Sequence, residues 1–416
     1  MIKPSKRKLS VVLTGLLSFA MISMGVQSAH AVTNLTFAAL AGIDNNLKPV
    51  IEQWNKENPD IQITVQTLPN GVSEIVKSLS ASALAGNAPD LFNNLDVYSD
   101  QLADAGFTED LTKWFGTNGT IKRSAFNQSF LSSYVPINSP KQVTGLPIAA
   151  DATVVFYNKT ILKAAGVKEP KPGWTYTDFL NSCKKISTWG AKQTKQVWGL
   201  AGGPGGGSKS IWQAQYNPMI HALGGYVYDR NNNTSAIGSP TAIKAWNLLM
   251  APWQNGCIPK YSIVSGKTPP TFAGGQLGME ISVRALLPTY RAAQKNFDVV
   301  DMPTVKGPTS KYIVGGGSYG LGMAALSQHK AEAWKFINWF YTTTNGGINT
   351  LQAGYSLVPP TDQGIANGAW LKLPGPPVNV NVFGRAIKNS FIAPKLPVNQ
   401  EQLSIRRFRM QSRRCF

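Results

Sequence analysis

Three stretches of this sequence carry residue types that chemistry could use. In "GLPIAADATVVFYNKTILKAAGV" (145–167) one carboxylate, Asp151, interrupts an apolar run with no basic residue close by in sequence. Such an acid either accepts hydrogen bonds from a group outside the local chain or caps a turn at a strand start, and both readings stay open. The second stretch, "GGSYG" (316–320), has the G-x-S-x-G spacing of a hydrolase nucleophile elbow. That machinery needs an acid and then a histidine after the serine. The one histidine beyond Ser318 is His329, beside a helix start, so the glycines point instead to backbone that something approaches closely. The third, "GGPGGGSKS" (202–210), lacks the Gly-Lys step of a phosphate loop because Ser208 intervenes, and reads as a plain loop. Outside the leader only His221 and His329 remain, neither with Cys or His at ligand spacing, so no metal and no cofactor is expected. Paired carboxylates for glycoside hydrolysis can be remote in the chain. With 21 acidic residues, most on expected helix surfaces, that chemistry is disfavoured.

The elements that must position these residues begin after a leader. "MIKPSKRK", the apolar run to Val26 and "AHA" have the layout of a secretory signal peptide over residues 1–31. No cysteine follows the run, so the mature chain is expected to be exported and soluble, without a lipid anchor. The formal charge of +19 overstates the body of the protein, because nearly half of it sits in the leader and in the last 13 residues. The remaining Lys are dispersed with no run of five or more basic residues, which says little about nucleic acid, and no nucleic-acid partner is expected. An exported chain could join Cys183 to Cys257. However, Phe179, Cys183 and Ile186 share a helix face, and Cys183 reads as a small core residue.

"TNLTFAAL" and "IQITVQTL" alternate as strands, and "PDLFNNL" reads as a third. Leu47, Val50, Ile51 and Trp54 mark a helix between the first two, and "VSEIVKSLSASALAG" a second helix stopped at Gly86. Strand–helix–strand–helix–strand implies a mostly parallel sheet flanked by helices. The pattern restarts at Val154. It runs through a helix opened by Thr175 and Asp178 at capping-box spacing, helices near 211–223 and 240–250, strands "FDVVDMP" and "SYGLGMAAL", and a helix from His329. The chain is therefore α/β, two units meeting near residue 150.

In this order the pieces resemble the family 1 extracellular solute-binding proteins, the maltose-binding-protein-like receptors of ABC importers. "PIAADATVVFYNKTIL" carries the resemblance most specifically. "NAPDLF", "ALGG" (222–225), "FAGGQLGMEIS" (272–282), "DMPTVKGP" (301–308) and "GGGSYGLGM" (315–323) support it. The resemblance implies a two-lobed periplasmic-binding-protein fold of type II. The N-terminal lobe would hold residues 32–149 plus about 303–350, and the C-terminal lobe 150–302 plus about 351–403, joined by two or three crossing segments. Asp151 would project from the first crossing into the cleft. Asp44, Asn94, Asp96, Tyr98, Trp212, Tyr216, Gly317, Ser318, Tyr319 and Tyr355 would also reach the ligand. Arg284 would meet an anionic ligand, hydroxyls, or an Asp of the protein. Few aromatics at the strand mouths favour a small neutral sugar over a long oligosaccharide, with an anionic sugar acid or glycerol phosphate as the alternative. The resemblance implies binding without catalysis, as a monomer that docks on a membrane permease. A secreted carbohydrate-active enzyme and a surface adhesin are the readings from other classes.

The chain departs from the family at "LSIRRFRMQSRRCF", where five Arg crowd residues 404–416 in an otherwise Lys-dominated sequence. Five like charges without an apolar face do not pack, and a changed reading frame or truncation near residue 403 explains the shift better than a binding tail. Deleting 404–416 is expected to leave melting temperature and ligand affinity unchanged; a fall of several degrees in a thermal melt would show that the tail docks.

Overall fold

The computed structural model describes residues 31–392 apart from 70, 118–120, 202–212, 230–231, 233, 260–269, 356–357, 363, 365–369 and 371–374. The expected signal peptide (save its last residue), Trp212 and the Arg-rich tail lie outside the described residues.

The first unit is β1 (Thr33–Leu40), α1 (Asp44–Glu57), β2 (Ile61–Leu68), α2 (Val72–Leu84) and β3 (Leu91–Leu95). Leu47, Val50, Ile51 and Trp54 of α1 are buried, as their spacing requires, and the Trp54 indole donates to the Ile61 carbonyl at 3.0 Å. Short helices α3 (Ser99–Asp104) and α4 (Gln128–Leu131) lead to β4 (Leu146–Asn158), in which all 13 residues are buried. Then come α5 (Lys159–Ala164), α6 (Tyr176–Gly190), β5 (Trp198–Leu200), α7 (Gln213–Ala222), the hairpin of β6 (Tyr228–Asp229) and β7 (Thr234–Ser235), and α8 (Pro240–Gln254). Thr175 and Asp178 close the expected capping box on α6. The chain continues through β8 (Leu277–Val283), α9 (Leu287–Ala293), β9 (Phe297–Val300), β10 (Gly316–Met323), α10 (Lys330–Thr342), α11 (Ile348–Tyr355) and α12 (Asn381–Lys388).

The main sheet runs β2-β1-β3-β10-β4-β8-β5, with β9 also pairing β4. Ladders built from successive strand–helix–strand units, β1 with β2 and β3, are parallel, and so is β5 with β8. The central ladders made by β4 and β10 are antiparallel, because these strands carry the chain from one half of the molecule to the other.

Two hydrophobic cores flank this sheet. One gathers Leu35, Phe37, Trp54, Phe92, Ala149, Leu321, Phe336 and Leu351; the other gathers Ala150, Phe156, Phe179, Phe272, Val314, Val358 and Phe383. Phe130 aside, which reaches into the second core from α4, membership switches at three places along the chain. These lie between Ala149 and Ala150, between Val314 and Leu321, and between Leu351 and Val358. Val305, Ile313 and Val314 pack in the second core.

β10 passes so close to its neighbours that a Cβ on Gly320 would collide with the Tyr134 ring and the Asn94 carbonyl. Gly320→Ala is therefore expected to destabilise by about 1–3 kcal/mol, the usual cost of overpacking. Urea denaturation checks this, and an unchanged midpoint would mean that Tyr134 yields at no cost.

Candidate functional site

The chain ends of several strands meet where the two cores adjoin. β3 ends at Leu95, next to the N-terminal end of β10, since Tyr319 pairs Leu95. β10 carries Gly317 directly opposite Asp151 of β4, and two residues further along β4, Thr153 pairs Val283 at the carboxyl end of β8. Asp96, Gly317, Asp151 and Arg284 thus form a row across the junction. In open α/β sheets such a place, outside the carboxyl ends of strands, is where ligands bind.

Each link in the row has a contact behind it. Ser318 N–H donates to Asp96 Oδ2 at 3.1 Å, and Asp96 N–H donates to the Ser318 carbonyl at 3.3 Å. Among the described residues, a Cβ added to Gly317 would meet Asp96 Oδ2 at 3.3 Å and nothing else within 4 Å. Direct opposition on the ladder puts Asp151 and the bare face of Gly317 on the same side of the sheet. Asp151 Oδ1 accepts the N–H groups of Ala152 at 3.0 Å and Arg284 at 3.3 Å. Among the described residues, no donor reaches its Oδ2.

Asp151 is 7% exposed, and burial pushes its carboxyl up to about 7; the Arg284 and Ala152 amides and the charge of Arg284 restrain the rise. Arg284, 2% exposed, turns its guanidinium over the rings of Trp370 (5.1 Å) and Phe383 (5.8 Å) and donates to the Trp370 carbonyl. Burial lowers its value to about 10, with Asp151 opposing the fall, so it stays charged at neutral pH.

The other expected binders divide. Asn94 and Tyr98 are sealed, at 0% and 1% exposure. The Asn94 amide donates to the Thr144 carbonyl, and the Tyr98 hydroxyl to the Asn93 carbonyl. They face inward because the last turn of β3 packs against the loop before β4. The Ser318 side chain is also buried. Its hydroxyl donates to the Ala149 carbonyl and accepts from the Tyr134 hydroxyl, which leaves no ligand role and no base beside a nucleophile. Ser318 sits within a strand, not on a strand–helix turn. Asp44 opens α1 with both oxygens engaged, Oδ1 by the amides of Gly42 and Asn45 and Oδ2 by the Thr67 hydroxyl. The Thr67 bond is the main cause that holds its carboxyl below the usual range. It organises the loop between β1 and α1. Tyr216 packs on Trp246 of α8, ring centroids 5.5 Å apart, and so faces the second core. Tyr319 is half-buried against the first core. Tyr355 ends α11, and its side chain lies outside the described residues, as does all of Trp212.

Sequence reasoning missed Tyr134, Trp370 and Phe383. Phe383 shares an apolar face of α12 with Val382, Ala386 and Ile387, a pattern that was there to be read. Trp370, in "ANGAWLKLPGPP", and Tyr134, in "LSSYVP", lie in stretches without periodicity. No group of three or more potential metal ligands occurs among the described residues, and no described helix is long and apolar enough to cross a membrane.

The profile of the bacterial extracellular solute-binding protein family matches residues 40–346, and the chain belongs to that family. It is a family of binding proteins rather than enzymes. The maltotriose-binding protein of Pyrococcus abyssi is 21% identical over 363 residues, covering 83% of this chain and 69% of its own length. The sn-glycerol-3-phosphate-binding periplasmic protein of Pectobacterium atrosepticum is 23% identical over 358 residues, 82% of this chain and 78% of its own. The solved structure of an ABC substrate-binding protein of Listeria monocytogenes in complex with cycloalternan superposes with a TM-score of 0.73 at 22% identity, over 87% of this chain and 88% of that one. The fold is the type II periplasmic-binding-protein fold.

The raised carboxyl of Asp151 has a stability consequence. Its folded value, about 7, lies above the ordinary 3.8, so the folded state holds the proton more tightly. Stability is then lost as pH rises from about 4 through 7, and the cost is complete above that. Asp151→Asn keeps an acceptor for both amides and removes the charge. At pH 8 it is expected to stabilise the unliganded protein by a few kcal/mol, since each pH unit between the two values is worth about 1.4 kcal/mol. At pH 4 it should change little. Melting temperatures at the two pH values check this, and equal curves for mutant and wild type at both would contradict the buried, raised carboxyl.

Proposed function

We propose that this solute-binding protein serves an ABC importer, takes a neutral hydroxyl-rich ligand, a sugar or small oligosaccharide, between its two lobes, and delivers it to a membrane permease. The observation that carries the ligand class is the row itself. Two carboxyl groups, Asp96 and Asp151, flank a stretch of backbone with no side chain at Gly317. Ionised carboxylates accept hydroxyl protons in charge-assisted bonds and repel phosphate or carboxylate groups. The cation in the row, Arg284, is engaged by the Trp370 and Phe383 rings and by the Trp370 carbonyl. The maltotriose-binding relative and the cycloalternan-bound neighbour support the same class.

The lobes in this reading are the two cores, with β4, the entry to β10 and the segment near Val358 as the crossings. Ligand that touches Asp96 on one side and Asp151 on the other binds the closed arrangement better than the open one, and so shifts the population toward it. The second reading, an anionic ligand, rests on the sn-glycerol-3-phosphate-binding relative.

A thermal-shift panel of mono- and oligosaccharides, polyols, sugar acids and glycerol phosphates separates the two. A neutral saccharide should raise the melting temperature and sn-glycerol 3-phosphate should not; the reverse outcome would establish the anionic reading. With the saccharide found, Asp96→Ala and Asp151→Ala should each weaken binding at least tenfold by calorimetry, about 1.4 kcal/mol, and Gly317→Val should abolish it. Affinity should also fall up to tenfold per pH unit below about 7, because protonation removes the charge and the free acceptor that Asp151 offers the ligand. A flat pH profile would remove Asp151 from the binding surface.

A further inference from the structure

Two cysteines far apart in sequence meet in the second core, in a place the solute site does not use. Cys183 lies on α6, and Cys257 follows the end of α8, where its N–H bonds the Pro252 carbonyl at 2.8 Å. Both are fully buried free thiols. They share one frame. Ser187, a turn after Cys183 on α6, donates its hydroxyl to the Cys257 carbonyl at 3.1 Å and accepts the Gly199 N–H at 2.7 Å. The Leu200 N–H also reaches the Cys257 carbonyl, at 3.2 Å. A Cβ on Gly199 would collide with the Cys183 carbonyl, so β5 is pressed against α6 at Cys183. Both backbones are thus fixed around the same two residues of β5, and both side chains are buried in one core.

We propose that Cys183 and Cys257 form an intramolecular disulfide in the exported protein. The family is extracellular, and outside the cytoplasm paired thiols meet oxidants rather than reductants. The bond needs sulfur atoms at about 2.05 Å and opposed Cβ positions, and the shared frame of Ser187, Gly199 and Leu200 holds both residues where their side chains can turn toward each other. Two S–H bonds break and one S–S bond forms. Two protons are released, and two electrons pass to a disulfide-bearing oxidant, itself reduced to two thiols. Burial holds the Cys183 thiol well above its usual range, so the folded core offers no thiolate for exchange, and the reaction belongs to the folding chain. Once closed, the bridge joins α6 to the end of α8. It fixes the second lobe as one body on which the hinge acts.

The test uses the full chain exported from cells, with free thiols alkylated in denaturant without reduction. Digestion and mass spectrometry should give one peptide pair joining Cys183 to Cys257, with alkyl groups confined to Cys415. Alkylation of both Cys183 and Cys257, or linkage of either to Cys415, overturns the proposal. In a second measurement, chain made in a reducing compartment is exposed to oxidised glutathione in mild denaturant and returned to buffer. The same pair should form, whereas stable glutathione adducts on Cys183 and Cys257 without linkage would also overturn it.

Discussion

β4 cannot leave any of its backbone groups to water, because all 13 of its residues are buried. Every N–H and C=O along it therefore needs a partner inside the protein. No single lobe provides both edges over that length. β10 covers one edge from Leu146 to Ala152, and the Val358 backbone bonds the other at Ala150. From Thr153 onward, β8 and β9 take over. The partners change where the hydrophobic core changes, and the other two crossings are drawn to the same place because they supply those partners. The position of the junction, and of everything that meets there, follows from satisfying one strand.

Asp151 stands at that change of partners, where an apolar residue would be more stable. An ionised carboxylate in such a place is tolerated only with compensation, here two amide donors and the nearby charge of Arg284. One amide belongs to its own strand, but the other is that of Arg284, at the end of β8 in the second lobe. Arg284 is itself held by Trp370 and Phe383. The acid is thus fastened to the body on one side of the junction and, among the described residues, has an oxygen left over. A residue that costs stability while keeping one acceptor uncommitted fits selection for binding, since proteins retain such costs at functional sites.

The glycines of β10 follow from the alternation of a strand. Gly316, Ser318 and Gly320 point one way, where Ser390 and Tyr134 press against the backbone. Gly315 and Gly317 point the other way. The Ala214 carbonyl crowds Gly315, whereas Gly317 meets only the edge of Asp96. Two of the three consecutive glycines are therefore explained by the protein's own packing. The third is not, and the hydrolase-like spacing around Ser318 is a by-product of this strand geometry.

The sequence by itself determined the elements and their order, since helix and strand periodicity report which face of each segment is apolar. Trp54 in α1, the capping box of α6, the alternation of β2 and the odd acid in β4 were all legible for that reason. It also singled out Asp151 as an unpaired acid, while the resemblance to the solute-binding family put Asp96, Gly317 and Arg284 among the candidate residues. Periodicity does not say what lies opposite a face. Only the tertiary structure decided that Asn94, Tyr98 and Ser318 turn inward to carbonyls and hydroxyls, and that Tyr216 meets Trp246. It likewise turned Arg284 to Trp370 and gathered Cys183 and Cys257 into one core. Those partners are remote in sequence or lie in stretches with no repeating pattern, and which of them meet depends on how whole elements stack.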